Sequence, residues 1–552
     1  MNPVSGQLRD FLEIPYDQLE EMNGEAKQAR LNHVSVDKLR EQHTRYLVDE
    51  RRIKAVTVCF SDLEGRFHML DYDKKFLLKS LGALTFDGSS VRGYSSQNES
   101  DLRLELDWHT FYWLPADVFG PGKVLIFADV LTRDGRPYPS DLRGRLRAYS
   151  ESLREKEGLV CNVAPEIEGF LFKGRYSEQH YVERPHFEPV SIGGYFHSLP
   201  GDNLRAFIDS AAEVQRAMAF GNEKDHPEVA PSQFEMNFTY SEAIVCADEV
   251  QLYKLLCRQV ASNMGMTASF LPKPIIGMNG SGMHTNLSFT KDGQNIFWDA
   301  HGKDRLSAQG WQAAERILTS ADDLCLILNP SVNAYRRLDP AFEAPNQIKI
   351  SANNRSALLR VPMFNEKSAR LEVRSVAPDA NPYLVFYALM RTALEGPLAP
   401  TDETKRRRTR FLPDHIDDAI RAFKSSRYLN EMLGETVVAK YAELKQMQAD
   451  RCPKALGTQI KVPEIQFHHE VTNQYLWGMF CGGSGVRRGG AKRRRCPKEA
   501  PGASRQGQAV SAGGLRRPAS SARRVPRDRR RGRWFAARDP TRSPLWPRRA
   551  PP

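Results

Sequence analysis

Two glutamates separated by one residue are the first feature whose type and spacing suit chemistry. Glu166 and Glu168 lie in the apolar segment APEIEGFLF, which reads as a β-strand. Side chains at positions i and i+2 share one face of a strand, so the two carboxylates project the same way, about 6.6 Å apart. Such carboxylates repel each other unless cations or donors meet them. The pair therefore suits ligands for two divalent metal ions, while a solvent-facing pair on an edge strand remains the alternative.

A second acidic segment is HPEVAPSQFEMNF, residues 226–238. After the break at Pro231, large apolar residues alternate with polar ones, which predicts a strand with Glu235 and Asn237 on its polar face. Glu228 precedes the break, so a bend can return its carboxylate toward Glu235. This segment alone is a weak indication of a site.

A glycine-rich segment, GMNGSGMH, ends at His284, which opens an alternating strand. The glycines permit either close approach of a ligand to the backbone or an ordinary hairpin turn. No Gly-Lys-Ser/Thr follows, so the segment is not a Walker loop.

Arginines are dense between residues 336 and 374, and several stand inside apolar strands such as ALLRVP and RLEVRS. An unpaired buried guanidinium is costly, so these side chains need anionic partners. Glu372 and Arg374 share a strand face. Structural ion pairs and a cradle for phosphates and a carboxylate are both open at this point. Taken together, the carboxylates, the histidine and the arginines fit metal-assisted phosphoryl transfer to a small carboxylate substrate.

The elements that position these residues divide the chain into four parts. Residues 1–35 read as a polar N-terminal extension with some helix, and residues 36–139 as a small, mostly β domain. In residues 140–480 strands alternate with amphipathic helices, which predicts an α+β catalytic domain. We expect helices capped by Ser35 (ending at Asp49) and by Asp202, and further helices over 247–264, 308–319 and 413–448.

The last part, residues 481–552, is a basic, low-complexity tail with 21 lysines and arginines against 3 acidic residues. Residues 1–480 carry 58 basic and 64 acidic residues, so the net charge of +12 belongs to the tail. Its composition predicts disorder. A solvated extension without a specific role and an arm that binds nucleic acid or another polyanion are the two interpretations.

Composition also bounds the location of the protein. No apolar run approaches the 18 or more residues of a membrane span, and the N-terminus lacks a secretory pattern. The eight cysteines show no CxxC pair, and most stand in apolar runs as buried, reduced thiols. We expect a cytoplasmic protein that does not enter membranes.

The sequence resembles a glutamine synthetase of the bacterial ring-forming type over roughly residues 53–480. The resemblance is carried by FDGSSVRG, NESD, APEIEGFLF, GGYF, HPEVAPSQFE, PKPIIGMNGSGMH, RRLDPAFEAP, NRSALLRVP and RLEVRS, in family order. It implies an N-terminal β-grasp domain followed by a catalytic domain with an antiparallel-sheet active-site barrel and helices.

The resemblance also implies roles for individual residues. One Mg²⁺ or Mn²⁺ ion is expected at Glu168, Glu228 and Glu235, and a second at Glu166, His284 and Glu372. The residues expected to hold glutamate are Asn279, Gly280, Arg337 and Arg374. Those expected to serve ATP are Glu223, Ser288, Arg360 and Lys367, with Arg355 at the transferring phosphoryl group. Glu343 resembles the family's flap carboxylate, and Asp87 with Tyr195 its ammonium-binding pair.

The implied reaction is ATP-dependent ligation of ammonia to the γ-carboxylate of glutamate through γ-glutamyl phosphate. Family members place the active site between subunits, so a homo-oligomer is expected, either one hexameric ring or a dodecamer of two. A γ-glutamyl ligase that uses a polyamine or another amine, and a non-catalytic relative, are the alternatives.

Overall fold

The part of the chain that the computed structural model describes is residues 12–454, except 185, 198, 339–343, 363–364 and 400–408. Glu343, residues 455–480 and the basic tail lie outside the described residues. The predictions for them, and the predicted domain limits, stay predictions.

The described residues form two β-sheets surrounded by helices. The strands are β1 (Ala55–Ser61), β2 (Phe67–Asp73), β3 (Leu84–Asp87), β4 (Asp101–Leu106), β5 (Tyr112–Trp113), β6 (Lys123–Leu131), β7 (Leu159–Lys173), β8 (Asn222–Pro227), β9 (Gln233–Phe238), β10 (Ser241–Glu242), β11 (Met266–Ser269), β12 (Met283–Lys291), β13 (Gln294–Asn295), β14 (Gln347–Ser351), β15 (Ala357–Arg360) and β16 (Leu371–Val373). The helices are α1 (Tyr16–Leu31), α2 (Val36–Asp49), α3 (Lys74–Lys79), α4 (Ala116–Phe119), α5 (Leu142–Glu157), α6 (Asn203–Ala217), α7 (Ala243–Asn263), α8 (Ala308–Thr319), α9 (Ala321–Leu328), α10 (Val332–Arg337), α11 (Pro382–Glu395), α12 (Ile416–Ser425), α13 (Arg427–Leu433) and α14 (Glu435–Lys454). None of these helices is both long enough and apolar enough to cross a membrane.

The first sheet has the strand order β2-β1-β6-β4-β3, with β5 paired to β6. Strands β1 and β6 run parallel, and the other pairs are antiparallel. Nearly every residue of β1 and β6 is buried. Their sequences, AVTVCFS and KVLIFADVL, are therefore continuous apolar runs rather than alternating ones.

The second sheet has the order β14-β15-β16-β12-β7-β9-β8, and β7 also pairs with β10 and β11. Only the β14–β15 pair is parallel among these described strands. The 15-residue β7 is central because it pairs with four other strands along its length. The predicted α+β class, with a mainly antiparallel catalytic sheet, is confirmed.

The predicted helices form at the expected places. The Asp202 carboxylate accepts a hydrogen bond from the Leu204 amide at the start of α6, as an N-cap does. Ser35 holds the corresponding position before α2, but its side chain makes no capping hydrogen bond. Leu39 and His43 of α2 are buried, whereas Val36 is exposed.

The N-terminal helix α1 is fastened to the rest of the fold by a buried asparagine. The Asn23 side-chain amide donates to the carbonyl oxygens of Trp113 and Ala217, and its oxygen accepts from the Trp113 amide. These three bonds join α1 to β5 of the first sheet and to the end of α6.

A buried ionic network joins α5 to the first sheet and to α7. The Arg143 guanidinium, 1% exposed, contacts the carboxylates of Asp107, Asp129 and Asp248 at 2.6–2.8 Å. Asp248 also accepts hydrogen bonds from Arg30 and the Tyr383 hydroxyl. The hydrogen bonds and opposite charges offset the cost of burying these ions.

Candidate active site

The centre of the site is the strand face of β7 that carries both predicted glutamates. Ile167 and Leu171 point the other way into the main apolar core, so the predicted alternation is confirmed. Past Glu168 the strand bears Phe170 and Phe172, which pack in a separate aromatic cluster. Within this cluster the ring of Phe172 stacks on that of Phe187, with centroids 4.3 Å apart.

Strand β9 brings Glu235 into the same row as two other polar residues. Glu235 stands directly opposite Glu168 in the β7–β9 pairing and opposite His226 in the β8–β9 pairing. Directly opposite residues project from the same face of an antiparallel sheet, about 4.5–5.5 Å apart at Cβ. The pairing register therefore places a carboxylate between a second carboxylate and an imidazole.

The turn between β8 and β9 returns Glu228 to this row, as the break at Pro231 predicted. Ser232 adopts a left-handed conformation there, with φ of 64°. Its hydroxyl oxygen accepts hydrogen bonds from the amides of Val190 and Ser191, which hold the turn. As a result, ligand atoms of His226, Glu228 and Glu235 all lie within 4.8 Å of one another.

A second cluster contains Glu166, His284 and Glu372, whose ligand atoms also lie within 4.8 Å of one another. His284 stands opposite Glu166 in the β7–β12 pairing. Its Nδ1 is 3.5 Å from Glu166 Oε2 and 4.0 Å from Glu372 Oε1, while its Nε2 is 3.9 Å from Glu168 Oε1. The imidazole thus links the second cluster to Glu168, which pairs with Glu235 of β9.

The site disfavours several charged states at once. Burial, together with the carboxylates of Glu235 and Glu228, raises the pKa of Glu168 to about 8. Burial and the Glu235 carboxylate raise the pKa of Glu228 to about 7. Burial and the nearby Arg374 lower the pKa of His284, which favours the neutral imidazole that binds metals. Crowded carboxylates with neutral imidazoles are a donor set that divalent cations fit.

The arginines pair with the second cluster and also line the cavity. Glu372, 1% exposed, contacts Arg374 Nη1 through Oε1 at 2.6 Å and Arg360 through its other oxygen. The Asn286 amide donates to Glu166, and its oxygen accepts from Arg370. Arg360 and Arg374 therefore both form ion pairs and line the cavity, so the two alternatives for these arginines apply to the same side chains.

The glycine-rich segment lets Arg337 and His284 come close to the backbone. A Cβ on Gly282 would lie 2.5 Å from Arg337 Nη2 and 2.9 Å from His284 Nε2. A Cβ on Gly280 would lie 2.4 Å from the Pro272 carbonyl oxygen. The Gly282 amide also donates to Glu168 Oε2 at 2.9 Å. This segment therefore packs against the site rather than forming a detached hairpin.

Two adjacent cavities contain most of the predicted site residues. The first, of about 330 Å³, is lined by Glu166, Glu168, Tyr195, Lys224, Glu228, Val229, Gln233, Glu235, Asn279, Gly280, His284, Arg337, Ala344, Pro345, Arg355, Arg360, Arg370 and Arg374. The second, of about 340 Å³, includes the predicted nucleotide residues Glu223, Ser288 and Lys367. Glu166, Lys224 and Arg370 line both cavities and so mark their junction.

Of the predicted site residues that the structure describes, Asp87 and Glu372 line neither cavity, although Glu372 belongs to the second cluster. Asp87 ends β3 in the first sheet, outside the lining of both cavities. Its carboxylate accepts hydrogen bonds from the Ser89 and Ser90 hydroxyls, and these bonds lower its pKa. Glu343 lies outside the described residues, directly before Ala344 and Pro345 of the first cavity.

The sequence alone assigned no role to His226, Lys224 and Gln233, which the structure places at the site, and it indicated Arg370 only as one of the dense arginines. The Gln233 side-chain amide donates to Glu168 Oε2 at 3.1 Å. Lys224 faces both cavities beside Glu223 because the β8–β9 register shifts between Asn222 and Lys224. The sequence gives no sign of such a bulge. His226 stands two residues before Glu228, so strand alternation could have placed the two side chains on one face.

This geometry defines a protein with paired acidic clusters and an arginine-lined cavity on a mainly antiparallel sheet. Residues 139–461 match the family description "Glutamine synthetase, catalytic domain", and residues 52–133 match "Glutamine synthetase, beta-Grasp domain". The glutamine synthetase of Methanosarcina mazei is 36% identical over 422 residues, covering 73% of this chain and 92% of that protein. The Thermus thermophilus glutamine synthetase is 35% identical over 417 residues, covering 72% and 92%.

Solved structures show the same fold. A Plasmodium falciparum glutamine synthetase superposes with a TM-score of 0.67 at 20% identity, over 76% of this chain and 97% of that one. Ligand-free GmaS superposes with a TM-score of 0.64 at 26% identity, over 75% and 97%. The chain belongs to the glutamine synthetase family, and this membership implies ligase activity.

Proposed function

We propose that this protein joins ammonia to the γ-carboxylate of glutamate, using ATP and passing through γ-glutamyl phosphate. The observation that carries the proposal is the pair of neighbouring carboxylate–imidazole clusters, four of whose six residues line one cavity together with several arginines. A carboxylate substrate and a nucleotide triphosphate both bring negative charge that such arginines meet.

ATP would occupy the second cavity, along Glu223, Ser288 and Lys367, with its phosphates directed to the junction. Lys224 and Arg370 stand at that junction beside Glu166. The positive charges of these two side chains would counter the negative charge of the phosphates where the second cavity meets the first. Arg360, which pairs with Glu372, faces the first cavity.

Glutamate would bind in the first cavity, held by Asn279, Gly280, Arg337 and Arg374. The Arg337 guanidinium donates to the carbonyl oxygens of Ser375 and Arg374, so its position is fixed before substrate arrives. Fixed donors stabilise developing charge without reorganising. Arg355 lines the same cavity and would meet the transferring phosphoryl group.

The residues Glu168, Glu228 and Glu235, and Glu166, His284 and Glu372, would hold two Mg²⁺ or Mn²⁺ ions. Divalent ions bound there supply charge neutralisation and Lewis acidity for phosphoryl transfer.

Ammonia would bind as ammonium at Asp87 of a neighbouring subunit, near Tyr195. The hydrogen bonds from Ser89 and Ser90 keep Asp87 ionised, which suits the binding of a cation. Glu343 would close the site and accept a proton from the amine. This arrangement requires a homo-oligomer, which we propose to be a hexamer or a dodecamer in the cytoplasm.

The test is a screen of amines with purified full-length protein, glutamate, ATP and Mg²⁺ or Mn²⁺, with phosphate release and product mass as readouts. We expect glutamine from ammonia. Turnover with a polyamine but none with ammonia would replace the proposal with a γ-glutamyl-amine ligase. No turnover with any amine would favour a non-catalytic relative.

The arginine-rich composition of residues 481–552 supports a second proposal, that the tail binds polyanions such as nucleic acid. Deleting residues 481–552 should remove any binding of nucleic acid and leave ligation unchanged. Loss of ligation on deletion would contradict the view that the tail lies outside the catalytic machinery.

A further inference from the structure

His226 is a buried histidine beside the first cluster whose ring position is fixed on several sides. The residue is only 6% exposed to solvent. The rings of Tyr195 and Phe196 meet it edge-on, with centroids 5.6 and 4.8 Å away. Nδ1 lies 3.1 Å from the Pro227 carbonyl oxygen. That oxygen can only accept, so Nδ1 carries the proton and donates it.

This tautomer leaves Nε2 with a free lone pair. Nε2 is buried and has no hydrogen-bond partner in the described structure. It points toward Glu235, with Oε2 4.0 Å away, and the pairing register places the two residues directly opposite each other. A buried nitrogen acceptor without a donor is costly unless something binds it.

We infer that His226 is a further ligand of the first ion, beside Glu168, Glu228 and Glu235, so that each of the two ions has one imidazole ligand. Ligand atoms of His226, Glu228 and Glu235 lie within 4.8 Å of one another, as do those of Glu166, His284 and Glu372. Glu168, opposite Glu235 and 3.9 Å from His284, lies between the two groups. The inference deepens the proposed function, on whose metal site it rests.

The chemical consequence is a preference among metals. Mg²⁺ favours oxygen ligands, whereas imidazole suits transition metals and strengthens binding of Mn²⁺, Co²⁺ and Zn²⁺ relative to Mg²⁺. The donated hydrogen bond from Nδ1 to a backbone carbonyl is the usual support of a metal-binding histidine. With an imidazole at both positions, neither site is a pure oxygen site.

The experiment is pulsed electron paramagnetic resonance of the full chain loaded with Mn²⁺ and no substrate, which detects directly bound nitrogen. We expect nitrogen coupling from both ions in the unchanged protein. His226→Ala and His226→Gln should each lose one coupling and keep that of His284, which also reports that the site is folded. The matched control is His197→Ala, which removes an exposed imidazole from the neighbouring loop.

Metal titration of the same proteins gives a second readout. His226→Ala should weaken Mn²⁺ binding at one site by at least about tenfold and Mg²⁺ binding by less. Nitrogen coupling from His284 alone in the unchanged protein would overturn the inference. A spectrum of His226→Ala identical to that of the unchanged protein would also overturn it.

The two proposals fail in different ways. Turnover together with nitrogen coupling from His284 alone would reject His226 as a ligand and keep the reaction. His226-dependent coupling without turnover on any amine would keep the ligand and reject the reaction.

Discussion

Glu168 and Glu235 face each other directly across the pairing of β7 and β9. Like charges in this position destabilise a sheet. Both residues are buried, and burial with the Glu235 and Glu228 charges raises the pKa of Glu168 to about 8. A proton or a cation must therefore occupy the space between them.

The first prediction concerns pH and metal. Because the folded-state pKa of Glu168 is about 8 and its ordinary value is 4.5, the folded protein holds an extra proton between these values. The contribution of this proton to the free energy of unfolding is fully present below about pH 4.5 and is lost as the pH rises to 8. We expect the melting temperature of metal-free protein to fall over this window more steeply than that of Glu235→Gln. Added Mg²⁺ or Mn²⁺ should remove most of the difference.

Thermal unfolding from pH 5 to pH 8, with chelator and with metal, measures this effect. Glu235→Gln also removes a charge that raises the pKa of Glu228, so the difference between the two proteins reports on the three crowded carboxylates together. Parallel curves for the two metal-free proteins would contradict the account.

The second prediction concerns Gly282. A Cβ there meets Arg337 Nη2 and His284 Nε2, so Gly282→Ala should displace both side chains. We expect the free energy of unfolding to fall by about 1–3 kcal/mol. We also expect metal binding to weaken. Urea unfolding and metal titration measure the two effects. Gly24→Ala is the control, since nothing lies within 4 Å of its Cβ. Unchanged metal binding in Gly282→Ala would show that the segment does not hold the site.

The third prediction concerns the buried network around Arg143. Arg143→Met leaves the carboxylates of Asp107, Asp129 and Asp248 without their main cation. We expect destabilisation of about 3–5 kcal/mol by urea unfolding, since one partner of a buried ionic group has been removed. Arg136→Met, which breaks the exposed pair with Asp134, should have no measurable effect. Equal stability of the two variants would refute a structural role for the network.

The fourth prediction concerns Asp87. If it serves a neighbouring subunit, Asp87→Asn and Glu235→Gln should each be nearly inactive, and subunits refolded or exchanged together should regain activity. Random mixing in a head-to-tail ring would give about a quarter of the sites one intact copy of each residue. Recovery is measured as glutamine formation, with each variant mixed with itself as control. No recovery in verified mixed oligomers would place Asp87 outside the shared site.

Strand alternation was the strongest guide from sequence to site. It placed Glu166 and Glu168 on one face of β7, with Ile167 and Leu171 in the core, and the structure agrees. It worked because β7 is long and regular, and because its two faces meet different surroundings. Alternation did not reach Glu228, whose place depended on a bend at the proline break, and the grouping of the glutamates into two metal sites came from the family resemblance.

Other parts depended on interactions that sequence does not encode locally. The bulge that turns Lys224 toward the cavities leaves no compositional sign. The role of His226 depends on the pairing of β8 with β9 and on the rings of Tyr195 and Phe196. The fastening of α1 by Asn23 depends on carbonyl oxygens 90 and 194 residues away.

The most direct test of the central claim uses hydroxylamine in place of ammonia, so that γ-glutamyl phosphate is trapped as the hydroxamate. We expect hydroxamate that requires glutamate, ATP and Mg²⁺ or Mn²⁺ together, and a decrease of at least about tenfold in Glu235→Gln. Hydroxamate formation that is unaffected by chelator and by Glu235→Gln would contradict the account.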